Sequence, residues 1–338
     1  MRLDNLILTP GLIFFLVLTW ATTVCGGAYK YHFPKSGEGP ASGTTVVGYF
    51  RTHTISPKET LLDAARNYGL GFNDLELLYP HIDPWIPNPG THLCMPTQWI
   101  LPPSRHNGIV INIPELRLYR FFPKIGMVKT YPIGIGDIDW KTPRGNYRVI
   151  ARKENPTWVI PTSLREKYET TQIPPGPENP LGKYWLGLSL KGYGIHGTNS
   201  PWGVGRLISH GCIRLYPEHI AQLFGEVPLG TPVEIVYEPI KFGVREGEIF
   251  IEVHPDPYDI IPDLTDFALN RLNASGLEPF IAMESVYRAL KHPTGVPVRI
   301  GNISKGGDIS ITGDAATQNG CIIPTNQHVK RRSKHENG

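Results

Sequence analysis

The sequence predicts a mainly β protein, and three observations carry that prediction. Gly (36) and Pro (33) together make up about a fifth of the 338 residues, against a usual combined share of about 12%. Proline inside a helix costs about 3 kcal/mol, which counts against an all-helical bundle. Between residues 107 and 237, short alternating runs follow one another with turn residues between them. That pattern predicts a β-sandwich or barrel-like sheet. No Gly-X-Y period is present, so the glycine does not signal a collagen helix. Charged residues make up 19% and the hydrophobic set 40%, which excludes a disordered polyelectrolyte. A net charge of +3 from 33 basic and 30 acidic residues is too balanced to point to a nucleic-acid partner.

The chain opens with Arg2 and then lacks Asp, Glu, Lys and Arg from Asn5 to Tyr29. An apolar run centred on Leu12-Ile13-Phe14-Phe15-Leu16-Val17-Leu18 is followed by Cys25-Gly26-Gly27-Ala28. Residues 1–28 therefore read as a secretory signal, favoured over a membrane anchor or a lipoprotein modified at Cys25. Each of these readings exports the remaining chain, to a periplasm or cell envelope. Residues 29–45, rich in Gly, Ser, Pro and Lys, read as a linker.

Residues 46–101 carry a small β-α-α-β order. Val46-Val47-Gly48-Tyr49-Phe50 is a short strand pattern. Ser56 reads as a helix N-cap, with Pro57 in the first turn and Glu59 three residues after the cap. Leu61, Leu62, Ala65 and Tyr68 repeat at helical spacing. A second helix starts at Phe72-Asn73-Asp74, and Pro80 ends it. Thr91-His92-Leu93-Cys94-Met95-Pro96 closes the module as a strand. This order, with Glu59-Thr60-Leu61-Leu62-Asp63-Ala64-Ala65-Arg66 and Gly90-Thr91-x-Leu93-x-x-Pro96, resembles a LysM module. The resemblance implies binding to peptidoglycan glycan strands. A small packing domain without a ligand is the plainer reading of the same residues.

Residues 107–237 hold strand patterns at 108–113, 116–121, 128–134, 147–151 and 232–237, and one short helix at 217–224. The stretch from 157 to 185 differs, being irregular and carrying Trp158, Tyr168, Tyr184 and Trp185. Such an insertion serves as a lid or binding loop, or its aromatics pin it to the core. Residues 238–338 show strand and helix patterns, no catalytic signal and a basic tail ending in Lys330-Arg331-Arg332-Ser333-Lys334-His335.

Four cysteines are present: Cys25, Cys94, Cys212 and Cys321. No Cys-x-x-Cys pair occurs, so zinc-ribbon and thioredoxin-like signatures are missing. If Cys25 leaves with the signal, the odd remainder flags a free thiol. Sequence leaves open whether Cys94 and Cys321 pair.

The chemistry concentrates at His196-Gly197 and, 16 residues after the histidine, at Cys212 within Ser209-His210-Gly211-Cys212-Ile213-Arg214. A thiol is only slightly ionised at neutral pH, and a neighbouring imidazole supplies the missing base. Glycine beside a nucleophile lets backbone N–H groups approach a developing oxyanion. Cys212 and Arg214 share a face if the segment is extended, and a guanidinium there pairs with a carboxylate. The residues alone also admit a buried structural thiol, or a zinc site from His196, His210 and Cys212.

The pattern His196-Gly197…Ser209-His210-Gly211-Cys212-Ile213-Arg214, with Thr142-Pro143-x-Gly145-x-Tyr147, resembles the signature of L,D-transpeptidase catalytic domains, the YkuD family. The resemblance implies a YkuD-like β-sandwich over residues 107–237. Cys212 would attack the bond before the terminal D-Ala of a peptidoglycan tetrapeptide stem. His196 would act as base and acid, oriented by a carbonyl near Gly197. His210 and Ser209 would support the loop, and N–H groups of Gly211 and Cys212 would hold the oxyanion. Arg214 would bind the donor stem, and Tyr184 and Trp185 would border the lid. The acceptor would be an amine of another stem or of a wall-anchored lipoprotein. The resemblance implies no metal and no organic cofactor. Two alternatives remain: an L,D-carboxypeptidase or other hydrolase on the same scaffold, and a noncatalytic wall-binding protein.

Overall fold

The computed structural model describes residues 27–303, 317–318 and 321–322. Residues 1–26, which carry the apolar run of the expected signal or anchor, lie outside the described residues, as does the basic tail at 330–335. Among the described residues no helix is long and apolar enough to cross a membrane.

The central element is a nine-stranded mixed sheet. Its order is Ala28–Lys30, Met127–Pro132, Arg117–Phe122, Gly108–Asn112, Pro232–Val236, Gly145–Glu154, Tyr184–Leu188, Gly194–His196, Ile213–Arg214. Most neighbours run antiparallel. Two pairs are parallel: Pro232–Val236 with Gly108–Asn112, and Gly194–His196 with Ile213–Arg214. Ile109, Ile111, Leu118 and Tyr131 from one half of the sheet share a single buried cluster with Leu186, Ile195 and Ile213 from the other half. The sheet therefore closes over one core in the manner of a sandwich. Helix α3, Pro217–Glu226, seals that core with Ile220 and Leu223. The fold is mainly β, as the composition and alternation predict.

Residues 29–45, expected as a linker, are instead docked along much of their length. Ala28–Lys30 extends the sheet edge beside Met127–Pro132, and His32 bridges Thr44. Aromatics spaced by two explain it. Tyr29 packs edge-on to Trp99, and Tyr31 edge-on to Phe121, at 5.8 and 5.4 Å between centroids.

In the small N-terminal module, Val46–Gly48 pairs with Gln98–Ile100 and Arg51–Thr54 pairs with His92–Met95. Helices α1, Leu61–Asn67, and α2, Phe72–Leu78, lie between them in sequence. The first helix starts later than Ser56 predicts. Thr60 is its N-cap, in a reciprocal capping box with Asp63. Lys58 sits at φ +68, which no helix interior accepts, and the Glu59 side chain accepts from the Ser56 N–H in a separate turn.

Residues after 237 form a third packed unit. Ile240–Arg245, Glu248–Val253 and Val298–Asn302 make an antiparallel sheet. Helices α4, Leu264–Ser275, and α5, Met283–Lys291, cover it around a core that includes Ile249, Leu272 and Val286. Buried charge ties the three units together. The Lys241 ammonium lies 2.8 Å from both Glu115 and Glu252, and Ile100 N–H donates to Glu252 at 2.6 Å. The Arg117 guanidinium meets Asp74 of α2 at 2.7 Å. Glu115, Glu252 and His254 come close enough together to suggest a metal site, but the Lys241 ammonium already sits between the two carboxylates. Cys94 and Cys321 are buried in one core cluster with their thiols in contact, and no disulfide joins them.

Candidate active site

Strand register assembles the site. Ile195 pairs with Ile213 and His196 with Arg214 in parallel. Paired residues of neighbouring strands point to the same side, and side chains alternate along each strand. His196 and Arg214 therefore share one face. Cys212, two residues before Arg214, continues onto that face. The Cys212 thiol contacts the backbone of Gly194, the residue facing it across the pair. It also points at the Gly192 carbonyl, 3.6 Å away.

The tautomer of His196 follows from its partner. Nδ1 lies 2.6 Å from the Gly197 carbonyl, which only accepts, so Nδ1 carries the proton and Nε2 keeps its lone pair. Burial, and then the nearby Arg214 charge, depress the imidazole pKa to about 3. Burial pushes the Cys212 thiol up, against the Gly194 backbone contact and the Arg214 charge. The resting pair is thus a neutral thiol and a neutral imidazole. Burial also lowers the Arg214 pKa, and its Nε lacks a hydrogen-bond partner. A half-buried guanidinium with unused donor capacity is ready for a carboxylate.

Trp185 pairs with His196 across the antiparallel strands and stacks on its ring at 5.4 Å and 21°. The indole lies across Gly194, where an added Cβ would stand 2.4 Å from the ring. Tyr184, its neighbour on the strand, packs at 4.7 Å against Phe224 of α3. Alternation thus brings Trp185 to the site and turns Tyr184 away from it.

The loop before Cys212 is held by its own side chains. Ser209 Oγ donates to the Cys212 carbonyl at 2.6 Å and accepts from the Gly211 N–H at 3.1 Å. Gly211 sits at φ +96, with an added Cβ 2.6 Å from the Tyr193 ring. His210 is exposed, its ring 5.6 Å from Trp140. It and Trp140 stand together at the surface.

The irregular insertion is folded back on itself. Trp158–Val159 pairs with Gln172–Ile173, Trp158 packs edge-on to Tyr168 at 5.3 Å, and Ile160 and Leu164 are buried. Tyr168 is close enough to Arg214 to act on its charge, so this segment borders the site. An open cavity of about 320 Å³ shares Gly197 with the site and is lined also by Gly182, Lys183, Thr198 and Asn199.

Two contributors carry no sequence signal of their own: Gly194 on the strand Gly194–His196, and Trp140 in the turn at 137–141.

Comparison with known proteins finds L,D-transpeptidases. Residues 106–235 match the model of the YkuD family, the L,D-transpeptidase catalytic domain. The chain is 33% identical over 299 residues to the probable L,D-transpeptidase ErfK/SrfK of Escherichia coli K12, covering 79% of this chain and 91% of that protein. It is 37% identical over 246 residues to the probable L,D-transpeptidase YcfS of the same strain, covering 68% and 77%. Against the probable L,D-transpeptidase YbiS, also from that strain, identity is 34% over 281 residues, covering 77% and 90%. Identity of a third over nine-tenths of one such protein, with residues 106–235 matching the catalytic-domain model, shows that this chain belongs to the L,D-transpeptidase family of enzymes.

Proposed function

We propose that the enzyme acts on peptidoglycan tetrapeptide stems through a thioester on Cys212. The observation that carries this reading is the parallel pairing that aligns Cys212, His196 and Arg214 on one face. Cys212 Sγ attacks the carbonyl before the terminal D-Ala as its proton moves to His196 Nε2. The carbonyl oxygen becomes an oxyanion. The Gly211 N–H is already given to Ser209, so the Cys212 N–H is the donor that remains for it. His196 returns the proton to the departing amine, D-Ala leaves and the thioester remains. An acceptor amine then attacks the thioester, loses its proton to Nε2, and the thiol is regenerated. Arg214 holds a carboxylate of the donor stem.

The acceptor is the amine of a second stem, giving a 3-3 cross-link, or of a wall-anchored lipoprotein. The N-terminal module, in which two strands, two helices and two more strands follow one another, supports LysM-like binding of the glycan strands. Such substrates lie in the cell envelope, in keeping with the export signal read from residues 1–28. His210, at the exposed rim beside Trp140, contributes to the loop rather than to proton transfer.

Incubation with a disaccharide-tetrapeptide, followed by mass spectrometry, tests the reading, with Cys212→Ala in parallel. Release of D-Ala with a new dimer is the expected result. Tripeptide alone would favour the carboxypeptidase. No change that depends on Cys212 would sink the thioester.

A further inference from the structure

The third unit reaches the catalytic loop through one side chain. Tyr258 follows the Glu248–Val253 strand and is buried. Its hydroxyl donates to the Gly136 carbonyl at 2.8 Å and accepts from the Thr142 N–H at 3.0 Å. It therefore clamps both ends of the turn that joins those residues. The Thr142 hydroxyl accepts from the Gly136 N–H at 2.9 Å and donates to the Gly211 carbonyl at 2.9 Å. The packing leaves little slack: a Cβ on Gly136 would stand 2.8 Å from Thr142 N and 2.9 Å from Gly211 Cα.

The Gly211 carbonyl and the Cys212 N–H belong to one planar peptide and point in opposite directions. Fixing the carbonyl fixes the N–H. Gly211, at φ +96, has no side chain to resist rotation of that peptide, so an outside hydrogen bond must hold it. We infer that Tyr258 is a positioning residue, which orients the Cys212 N–H toward the oxyanion through Thr142 and Gly211. This rests on the reading of Cys212 as nucleophile. It gives residues after 237 a part in the reaction.

Tyr258 is itself anchored. Its N–H donates to the Tyr237 hydroxyl at 3.0 Å, Tyr237 donates to Asp256, and Lys141 Nζ reaches the Tyr258 carbonyl at 3.3 Å. The chain of contacts therefore starts in the segment linking the catalytic sheet to the third unit.

The test uses the full chain and the variants Tyr258→Phe, Thr142→Val and Thr142→Ser. Two readouts are taken: kcat and KM for D-Ala release from a disaccharide-tetrapeptide, and the amide resonance of Cys212 in the free protein. Tyr258→Phe should lower kcat roughly ten- to a hundredfold with KM unchanged, the scale expected when a reacting group is slightly misplaced. Thr142→Val should do the same, Thr142→Ser should restore the rate, and the double variant Tyr258→Phe/Thr142→Val should be no slower than Thr142→Val. The Cys212 amide resonance should move in Tyr258→Phe and Thr142→Val and return in Thr142→Ser. Wild-type kcat in Tyr258→Phe, losses that multiply, or a loss confined to KM and thermal midpoint would overturn the inference. An enzyme without Cys212-dependent D-Ala release would sink the proposed reaction instead, and the amide resonance alone would then decide whether Tyr258 sets the peptide.

Discussion

Proton position decides how Cys212 can react. With the thiol raised by burial and His196 depressed to about 3, the free enzyme holds no thiolate–imidazolium pair at neutral pH. Alkylation of Cys212 by iodoacetamide should therefore be slow at pH 7 and still rising at pH 9. A plateau reached below pH 7 would indicate a preformed ion pair. His196 has a second consequence. In the window from about 6.5 down to about 3 the unfolded chain binds a proton that the folded site refuses. Stability contributed by the neutral imidazole is full above pH 6.5 and is lost as the pH falls through that window. Denaturant midpoints measured from pH 7 to pH 4 should fall steadily, and His196→Gln should flatten part of the slope. In initial-rate measurements, an acid limb near pH 6.5 would assign the base elsewhere.

At the residue scale the nucleophile and base proposed above were legible, because His196, Gly197 and Cys212 carry their chemistry and spacing in the sequence. Tyr258 was not. Its partners Gly136 and Thr142 lie 122 and 116 residues away, and no local pattern encodes such a meeting. Tyr184 and Trp185 illustrate a finer limit. Both are aromatic neighbours, but strand alternation separates them, and which one faces the site depends on a register that composition does not fix.

Elements show how local chemistry is tied to the site. The Gly211 turn combines φ +96 with a Tyr193 ring where a Cβ would stand. Gly211→Ala should cost about 1–3 kcal/mol of stability and displace Cys212. Calorimetry beside turnover checks this; a variant with native midpoint and native rate would show that the loop adapts. At α1, Thr60→Ala should cost about 1 kcal/mol, because it removes the acceptor for the Asp63 N–H. Ser56→Ala should cost less, since Ser56 caps no helix. Strands such as Gly108–Asn112, Arg117–Phe122 and Pro232–Val236 and most helices were legible from alternation and 3.6-residue spacing, whereas Tyr184–Leu188 begins in the stretch that reads as irregular. The start of α1 was not: Ser56 and Thr60 both precede an acidic residue by three, and only the backbone of Lys58 chooses between them.

The whole molecule is joined at its driest point. Lys241 is fully buried between Glu115 of the catalytic sheet and Glu252 of its own unit, and Glu252 in turn accepts from Ile100 N–H at the end of the N-terminal module. Burial alone would raise the Glu115 pKa, but Lys241, His254 and Arg117 pull it below the ordinary value. Lys241→Met should leave two carboxylates buried without their cation and cost about 3–5 kcal/mol. Equilibrium unfolding measures it, and a loss under about 1 kcal/mol would mean that the carboxylates share a proton instead. The sequence showed three units in order. It could not show that charged residues from all three share one interior, since buried Lys and Glu look like surface residues in a composition.

That shared interior limits how such a gene can be recombined. A cut at residue 237 falls between Glu115 and Lys241, and a cut at residue 101 separates Asp74 from Arg117. A graft at residue 101 would leave Asp74 and Arg117 each without its partner, and one at residue 237 would leave Glu115 without Lys241. A binding module taken from another protein would have to bring an acid to meet Arg117, as well as a matching shape. Lineages that exchange these modules freely should be those in which the positions of Asp74, Arg117, Glu115 and Lys241 have become apolar together.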